Sequence, residues 1–143
     1  MTSARRRACA AIVALIGLAA CCAGCGGVRA ADLFVVTRTG PTAGTRLTLL
    51  VNEEGGVNCN GGPTRKLDDA LLLKADGIRE DLQDPASEGL SLRPRPGSVY
   101  SYSVRDENGT VRFSDNSAAQ PKVLRELAYF VLQTAQQVCH LNE

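Results

Sequence analysis

The sequence predicts an α+β fold, a two-layer sandwich in which an antiparallel sheet is covered on one face by two helices. Three observations support this prediction: segments with apolar residues at every second position, two segments with apolar residues every three or four positions, and their order along the chain. Strands precede a helix, and a hairpin then precedes a second helix. Because every sheet and helix must bury its apolar side, two packed layers satisfy the pattern.

Three strands are predicted in the first half of the domain. Residues 33–38 are rich in β-branched side chains and are followed by a Gly-Pro pair, which is typical of a strand that ends at a turn. Residues 45–51 alternate between polar and apolar side chains, which predicts one buried and one wet face. The glycine-containing turn at 52–56 leads to a short third strand at 57–59.

A helix is predicted to begin after Asp68, whose side chain suits the N-cap position. Apolar residues recur there at helical spacing: Leu67, Leu71, Ala75, Ile78 and Leu82. Pro85 is predicted to end this helix, because proline lacks a backbone N–H.

Residues 86–97 show neither a helical nor an alternating pattern. This segment ends in Arg93, Pro94, Arg95 and Pro96, whose two prolines fix φ and favour an extended polyproline II course. Such a segment serves either as an exposed binding strand or as a stiff connector between the layers. These four residues are the candidate binding loop.

A hairpin and a second helix complete the predicted domain. Residues 99–104 place tyrosine and valine on one face and serine on the other, and Asn108-Gly109 predicts a two-residue type I′ turn. With that turn, Val104 lies opposite Phe113 on the buried face. Proline 121 suits the first position of a helix over 121–139, which would be about 28 Å long. Its apolar stripe consists of Leu124, Leu127, Ala128, Val131, Ala135 and Val138.

Residues 1–20 have the layout of a secretory signal peptide, because three arginines precede an apolar stretch. That stretch, residues 8–20, is shorter than the about 20 residues that a permanent membrane span needs. The motif Leu18-Ala19-Ala20-Cys21 resembles the lipobox of bacterial lipoproteins. The resemblance implies cleavage before Cys21 and a diacylglycerol on its thiol, which would anchor the protein to the outer face of the cell membrane.

The lipobox interpretation divides the chain into a signal peptide (1–20), a lipid anchor with a flexible tether (21–31) and a single domain (32–143). Cleavage leaves 13 basic and 15 acidic residues, and thus a net charge of −2. Two alternatives remain open. Cys25 is a second candidate lipid acceptor, and cleavage after Ala30 would give a freely secreted protein.

Cys59 and Cys139 are the two cysteines of the predicted domain, and they flank its two helices. Antiparallel packing of those helices would bring both thiols to one end of the layer. Since disulfides form and persist outside the cytoplasm, the sequence predicts a Cys59–Cys139 bond. Cys22 and Cys25 match C-x-x-C but lack the strand-to-helix context of a redox site and the second ligand pair of a zinc site, and their pairing stays open.

The sequence contains no catalytic constellation. The single histidine, His140, lies three residues from the end of the chain, so a Ser or Cys nucleophile would lack a well-held base. Adjacent carboxylates fall in predicted turns, at a helix start or on a polar helix face, where acids are usually solvated. A near-neutral charge argues against a nucleic-acid partner. We therefore expect a non-enzymatic protein without cofactor or metal.

Between residues 45 and 138 a series of features occurs in a recognisable order. It consists of a strand at 46–51, a Glu54-Gly55-Gly56 turn, a Leu-rich helix, a Tyr100-Ser101-Tyr102 strand, a hairpin at Gly109 and a Pro121-x-x-Leu124 helix. This order resembles the emfourin family of bacterial inhibitors of thermolysin-like metallopeptidases. The resemblance implies a fold of this class and protease inhibition, but it assigns no inhibitory residue.

Two functions are therefore expected. The first is an exported, membrane-anchored lipoprotein that acts as a binding or structural module of the cell envelope, with an envelope protein as partner. The alternative is an emfourin-like inhibitor, with a peptidase as partner.

Overall fold

The computed structural model of the protein describes residues 31–141, which form one open six-stranded antiparallel sheet and two α-helices. The strands are β1 (Asp32–Thr39), β2 (Leu47–Asn52), β3 (Gly56–Cys59), β4 (Thr64–Lys66), β5 (Ser101–Arg105) and β6 (Thr110–Ser114). The helices are α1 (Asp69–Ser87) and α2 (Lys122–Gln137). Their order in the sheet is β4-β3-β2-β1-β5-β6. The predicted α+β fold class is confirmed.

The sheet has one covered face and one open face. On the covered face, alternate side chains of every strand except β4 are buried, and Phe34 of β1 meets Phe130 of α2 edge-on, with 5.9 Å between ring centroids. Apart from the buried Leu33, the alternate residues of β1, β2 and β5 that face the other way are half-buried or exposed, and most of them are polar. The core therefore lies between the sheet and the helices, and we call the other side of the sheet the open face.

The two helices run antiparallel. Lys74 in the first half of α1 donates to Gln133 in the last turns of α2, with 2.7 Å between Nζ and Oε1. At the other end, Lys122 at the start of α2 hydrogen-bonds to Glu126, which together with the more distant Asp81 of α1 raises the pKa of Lys122. The start of α1 and the end of α2 therefore lie at the same end of the layer.

The ends of α1 partly follow the prediction. Asp68 caps the helix, because its Oδ1 accepts a hydrogen bond from the N–H of Leu71 at 2.8 Å. The prediction that Pro85 ends the helix is wrong, since α1 continues to Ser87. Beyond the proline, the helix end is closed by a hydrogen bond from the N–H of Leu90, two residues beyond the cap, to the carbonyl of Pro85. Helix α1 is terminated by Gly89, the residue after its C-cap Glu88, whose φ of +64° is left-handed.

The hairpin register differs from the predicted one. Residues 106–109 connect the strands, so Val104 lies opposite Val111 and Tyr102 lies opposite Phe113. Asn108 has no positive φ, and Asp106 closes the connection by accepting hydrogen bonds from the N–H groups of Asn108 and Gly109. The shift of two residues leaves every side chain on its predicted face.

The glycine of this connection is required by proximity to α1. A Cβ atom at Gly109 would collide with the carbonyl oxygen of Ala86 in the last turn of α1. The close approach seats the hairpin against the end of the helix, just before the segment that carries the candidate loop.

Strand β4 has no counterpart in the predicted elements. It follows a break of Asn, two Gly and Pro, and its three residues are all exposed, so no alternation marks it. It exists as the edge partner of β3, with Arg65 opposite Val57. Its position puts β4 and β6 at opposite edges of the sheet.

Candidate functional site

The candidate loop, residues 93–96, leaves the sheet beside β6, and all four of its residues are exposed. Just before it, the N–H of Leu92 donates to the carbonyl of Arg112 at 2.8 Å, and the N–H of Arg112 donates to the carbonyl of Leu90 at 2.9 Å. Ser91 and Arg112 thus form a parallel bridge. The segment before the loop is anchored to the outer edge of β6.

The middle of the loop is held by Asn116 in the turn after β6. Its Oδ1 accepts from the N–H of Arg95 at 3.0 Å, and its Nδ2 donates to the carbonyls of Arg95 and Pro96 at 3.1 and 3.2 Å. The Asn116 side chain thereby supplies both a donor and an acceptor to the loop backbone, as a neighbouring strand would. The arginine side chains remain directed to solvent while the backbone is fixed.

The segment after the loop is held by Asp115. Its carboxylate accepts from the hydroxyl of Ser98 at 2.8 Å and from the N–H groups of Val99 and Tyr100 at 3.0 and 3.2 Å. Partial burial opposes ionisation, but these hydrogen bonds to the charged form outweigh it, and the pKa of Asp115 is held below its usual value of 3.8. The loop is therefore fixed before, within and after its four residues.

A groove of about 280 Å³ lies between this segment and the open face of β1, β5 and β6. Four hydroxyl residues, one arginine and two apolar residues of the adjoining segment contribute to its walls: Thr37, Thr39, Ser101, Ser103, Arg112, Leu92 and Pro94. Because Pro94 belongs to both, the candidate loop forms one rim of the groove.

Basic side chains accumulate on this side of the molecule. Arg112 lies opposite Ser103 on the open face, and Arg105 lies opposite Thr110 further along the same face. Both are exposed, as are Arg93 and Arg95 on the rim. Within residues 31–141, none of these four guanidinium groups takes part in a hydrogen bond or an ion pair. We call these four arginines the arginine cluster.

Acidic side chains concentrate on the helix layer instead. The exposed residues of α1 include Asp76, Glu80, Asp81 and Asp84. Helix α1 covers the face of the sheet that is opposite the groove. The exposed acids of α1 and the arginine cluster therefore lie on opposite sides of the sheet.

The two cysteines of the domain are joined. The Sγ atoms of Cys59 and Cys139 are 2.05 Å apart and their Cα atoms 5.9 Å apart. Arg65 of β4 lies nearby and donates to the carbonyl of Val138 at 2.6 Å. These contacts connect the end of α2 to the β3–β4 side of the sheet, across the sheet from the candidate loop.

Side chains suited to acid–base chemistry are dispersed. His140 is exposed beyond α2, while Asp68 and Asp106 cap backbone N–H groups. Glu107 pairs with Arg79 of α1 at 3.1 Å. Among residues 31–141 no group of three or more His, Cys, Asp or Glu side chains is placed to hold a metal ion.

Within the described residues, neither helix is long and apolar enough to cross a membrane.

The remaining predicted site, the lipidation of Cys21, lies outside the described residues, as do the signal peptide, Cys25 and all of the tether except its last residue.

Comparison of the chain with protein-family models, with curated proteins and with solved structures finds no match.

Sequence reasoning named only residues 93–96 of this site, and the residues it missed include Arg112, Asp115 and Asn116. Arg112 lies outward because Val111 and Phe113 lie inward, so the hairpin alternation carried a signal for it. Asp115 and Asn116 follow β6 as an ordinary turn pair. Nothing in one sequence indicates that their side chains reach a segment 15 to 21 residues earlier.

Proposed function

We propose that the protein is an exported lipoprotein, anchored through Cys21, whose domain is a non-enzymatic binding module of the cell envelope. Its contact surface is the candidate loop together with the adjoining groove. The observation that carries this proposal is the combination of exposed residues and a fixed backbone at 93–96.

This combination favours binding over a purely connecting role. A connector needs only its ends fixed, whereas Asn116 fixes the middle of the loop and leaves Arg93 and Arg95 free to contact a partner. A loop that is ordered before binding loses less conformational entropy when the partner arrives. Rigid scaffolds that present exposed loops are a common arrangement for recognition.

Capture of the partner from a membrane extract tests this proposal. We expect the protein to capture the same envelope protein before and after Pro63→Gly, which changes an exposed proline between β3 and β4 at the far edge of the sheet. Replacement of Arg93–Pro96 by Gly-Ser-Gly-Ser should abolish capture while the unfolding transition persists. Equal capture by the loop variant would assign the segment to the connector role and contradict the proposal.

Inhibition of a thermolysin-like metallopeptidase is the second candidate function. The specific observation in its favour is the same rigid, exposed loop, because a bound inhibitor segment must resist both distortion and cleavage. The prolines at 94 and 96 fix φ and so restrict the distortion of this segment. Loss of peptidase activity at equimolar protein, relieved by the loop replacement, is the expected result for this candidate. Full activity in a molar excess of the protein would exclude it.

A further inference from the structure

We propose that the groove recognises an acidic peptide segment of a partner protein, bound in extended conformation across the open face of β1, β5 and β6. This inference rests on the proposed function and specifies the chemistry of its partner. It joins three observations: the arginine cluster, the hydroxyl-lined wall of the groove and the row of exposed acids on α1 in the other layer.

The charge distribution selects an anionic ligand. Arg112 lies in the groove, Arg93 and Arg95 lie on its rim, and Arg105 extends the same face. Residues 31–141 contain two more acidic than basic residues, yet none of these four arginines forms an ion pair. The carboxylate of Asp115 beside the loop is occupied by Ser98 and by the N–H groups of Val99 and Tyr100. A guanidinium group binds a carboxylate through two parallel hydrogen bonds, and it does so best when no internal carboxylate competes.

The groove walls suit a peptide as well as a charge. The hydroxyl groups of Thr37, Ser101 and Ser103 can donate to carboxylates and accept from peptide N–H groups. Leu92 and Pro94 add apolar surface for small side chains between the acidic ones. Alternate residues of an extended chain point to the same side, so every second residue of a bound peptide would face the sheet.

A membrane surface fits this site less well than a peptide. The wall residues Thr37 and Ser103 are only half-exposed, between the strands and the rim formed by Pro94. A flat layer of headgroups would contact the arginines of the rim but would not reach these hydroxyl groups. The partial burial of these hydroxyl groups therefore favours a single peptide chain over a flat layer.

Titration of the isotope-labelled protein, as purified from the producing cells, with the peptide Glu-Ala-Glu-Ala-Glu-Ala tests the inference. We expect a Kd below about 1 mM at low salt. In NMR spectra, the backbone amide signals of Thr37, Ser103 and Arg112 should shift as the peptide is added. Binding should weaken at least threefold at about 0.15 M salt, because salt ions screen the attraction between the arginines and the glutamates of the peptide. The matched peptide Gln-Ala-Gln-Ala-Gln-Ala should not bind.

Two single-charge variants locate the contact. Arg112→Gln should weaken the acidic peptide about tenfold, because it removes the guanidinium that lies in the groove. The control Lys122→Gln removes the same charge from the exposed start of α2 and should change the Kd less than twofold. If both variants weaken peptide binding equally, the net charge of the protein explains the attraction and the groove does not. That result would overturn the inference. Unchanged unfolding midpoints would verify that both variants fold.

The remaining outcomes separate this inference from the proposed function. Binding to vesicles rich in phosphatidylglycerol with the same amide shifts, and no binding to the peptide, would replace the acidic peptide by a lipid surface. If the peptide does not bind but the loop is still needed to capture an envelope protein, the groove does not recognise an acidic peptide. The proposed binding module would then stand without that ligand. Loss of both results would contradict the proposed function as well.

Discussion

Asp115 and Asn116 are adjacent in the chain, but Asn116 holds the candidate loop and Asp115 holds the segment that follows it. Asn116 pairs with the loop backbone at Arg95 and Pro96, and Asp115 holds the N–H groups of Val99 and Tyr100. A single turn after β6 thereby determines the shape of the contact surface. Substitutions in this turn should alter binding without direct contact to the partner.

The first prediction concerns the charge of Asp115. Because hydrogen bonds lower its pKa in the folded state, its stabilising contribution is complete above about pH 4 and is lost as the pH falls through the folded pKa. Asp115→Asn should lower the free energy of unfolding by about 1 kcal/mol at pH 7, a modest value because the carboxylate is exposed. Urea unfolding across pH 2 to 7 should show a smaller loss on acidification for the variant than for the wild type. Identical acid profiles would show that Asp115 does not hold the segment.

The second prediction concerns Phe113, which is buried and stacks on Tyr102 with 4.8 Å between ring centroids. Phe113→Ala should reduce the free energy of unfolding by about 3 to 5 kcal/mol, because it removes buried apolar surface and leaves a cavity. Urea denaturation measures this loss. The matched change Val99→Ala, at an exposed residue, should cost less than about 0.5 kcal/mol. A small effect at Phe113 would contradict the observed packing of the hairpin.

At this scale, sequence reasoning succeeds where the cause is local. The cap at Asp68 depends on a hydrogen bond to a residue three positions later, and local pattern identifies it. The side chain of Asn116 instead acts 21 residues earlier, and its role depends on how β6 and the loop meet in space. The faces of Val104 and Phe113 were predictable, whereas their partners were not, because alternation determines parity but not register.

The elements themselves follow from periodicity. Helices α1 and α2 and strands β1, β2, β3, β5 and β6 all coincide with predicted segments, because each buries one side against the other layer. Strand β4 buries little and pairs only through its backbone, so its side chains carry no signal. Helix α1 continues for two residues past Pro85, and the N–H groups of residues 88–90 close its end by donating to carbonyls of its last turn. A rule for proline alone does not include these bonds.

The third prediction belongs to the link between α2 and β3. The bond between Cys59 and Cys139 closes a loop of 80 residues, so its removal should cost up to about 4 kcal/mol through the unfolded chain. Cys139→Ser should lower the free energy of unfolding accordingly, and a reductant should affect the wild type but not the variant. Since the bond lies across the sheet from the candidate loop, binding by the folded variant should persist. Two free thiols in the exported protein would contradict the bond and the packing of the helices.

At the scale of the whole molecule, the domain and its proposed anchor have separate tasks. The fourth prediction is that Cys21→Ala releases or mislocalises the protein, because it removes the proposed lipid acceptor. Partition into the detergent phase should be lost in this variant and retained in Cys25→Ala. If Cys21→Ala still partitions into the detergent phase and Cys25→Ala does not, the lipid acceptor is Cys25. If the wild-type protein does not partition into the detergent phase, a freely secreted protein is favoured.

Charge is also divided at this scale. Helix α1 presents acids on one side, while the arginine cluster lies beside the groove on the other. A field of this form orients an approaching anionic segment toward the groove and repels it from the helices. Composition alone concealed this feature, because a net charge near zero contains no information about where the charges lie.

The most direct test of the binding module is the dissociation constant of the captured envelope protein, measured by calorimetry for the wild type, the Gly-Ser-Gly-Ser loop variant and Pro63→Gly. The structure predicts that the loop variant binds at least about tenfold more weakly, because it loses two arginines and the fixed backbone of residues 93–96. Pro63→Gly should bind as the wild type does. Equal affinity of all three proteins would contradict the account and leave the loop as a connector.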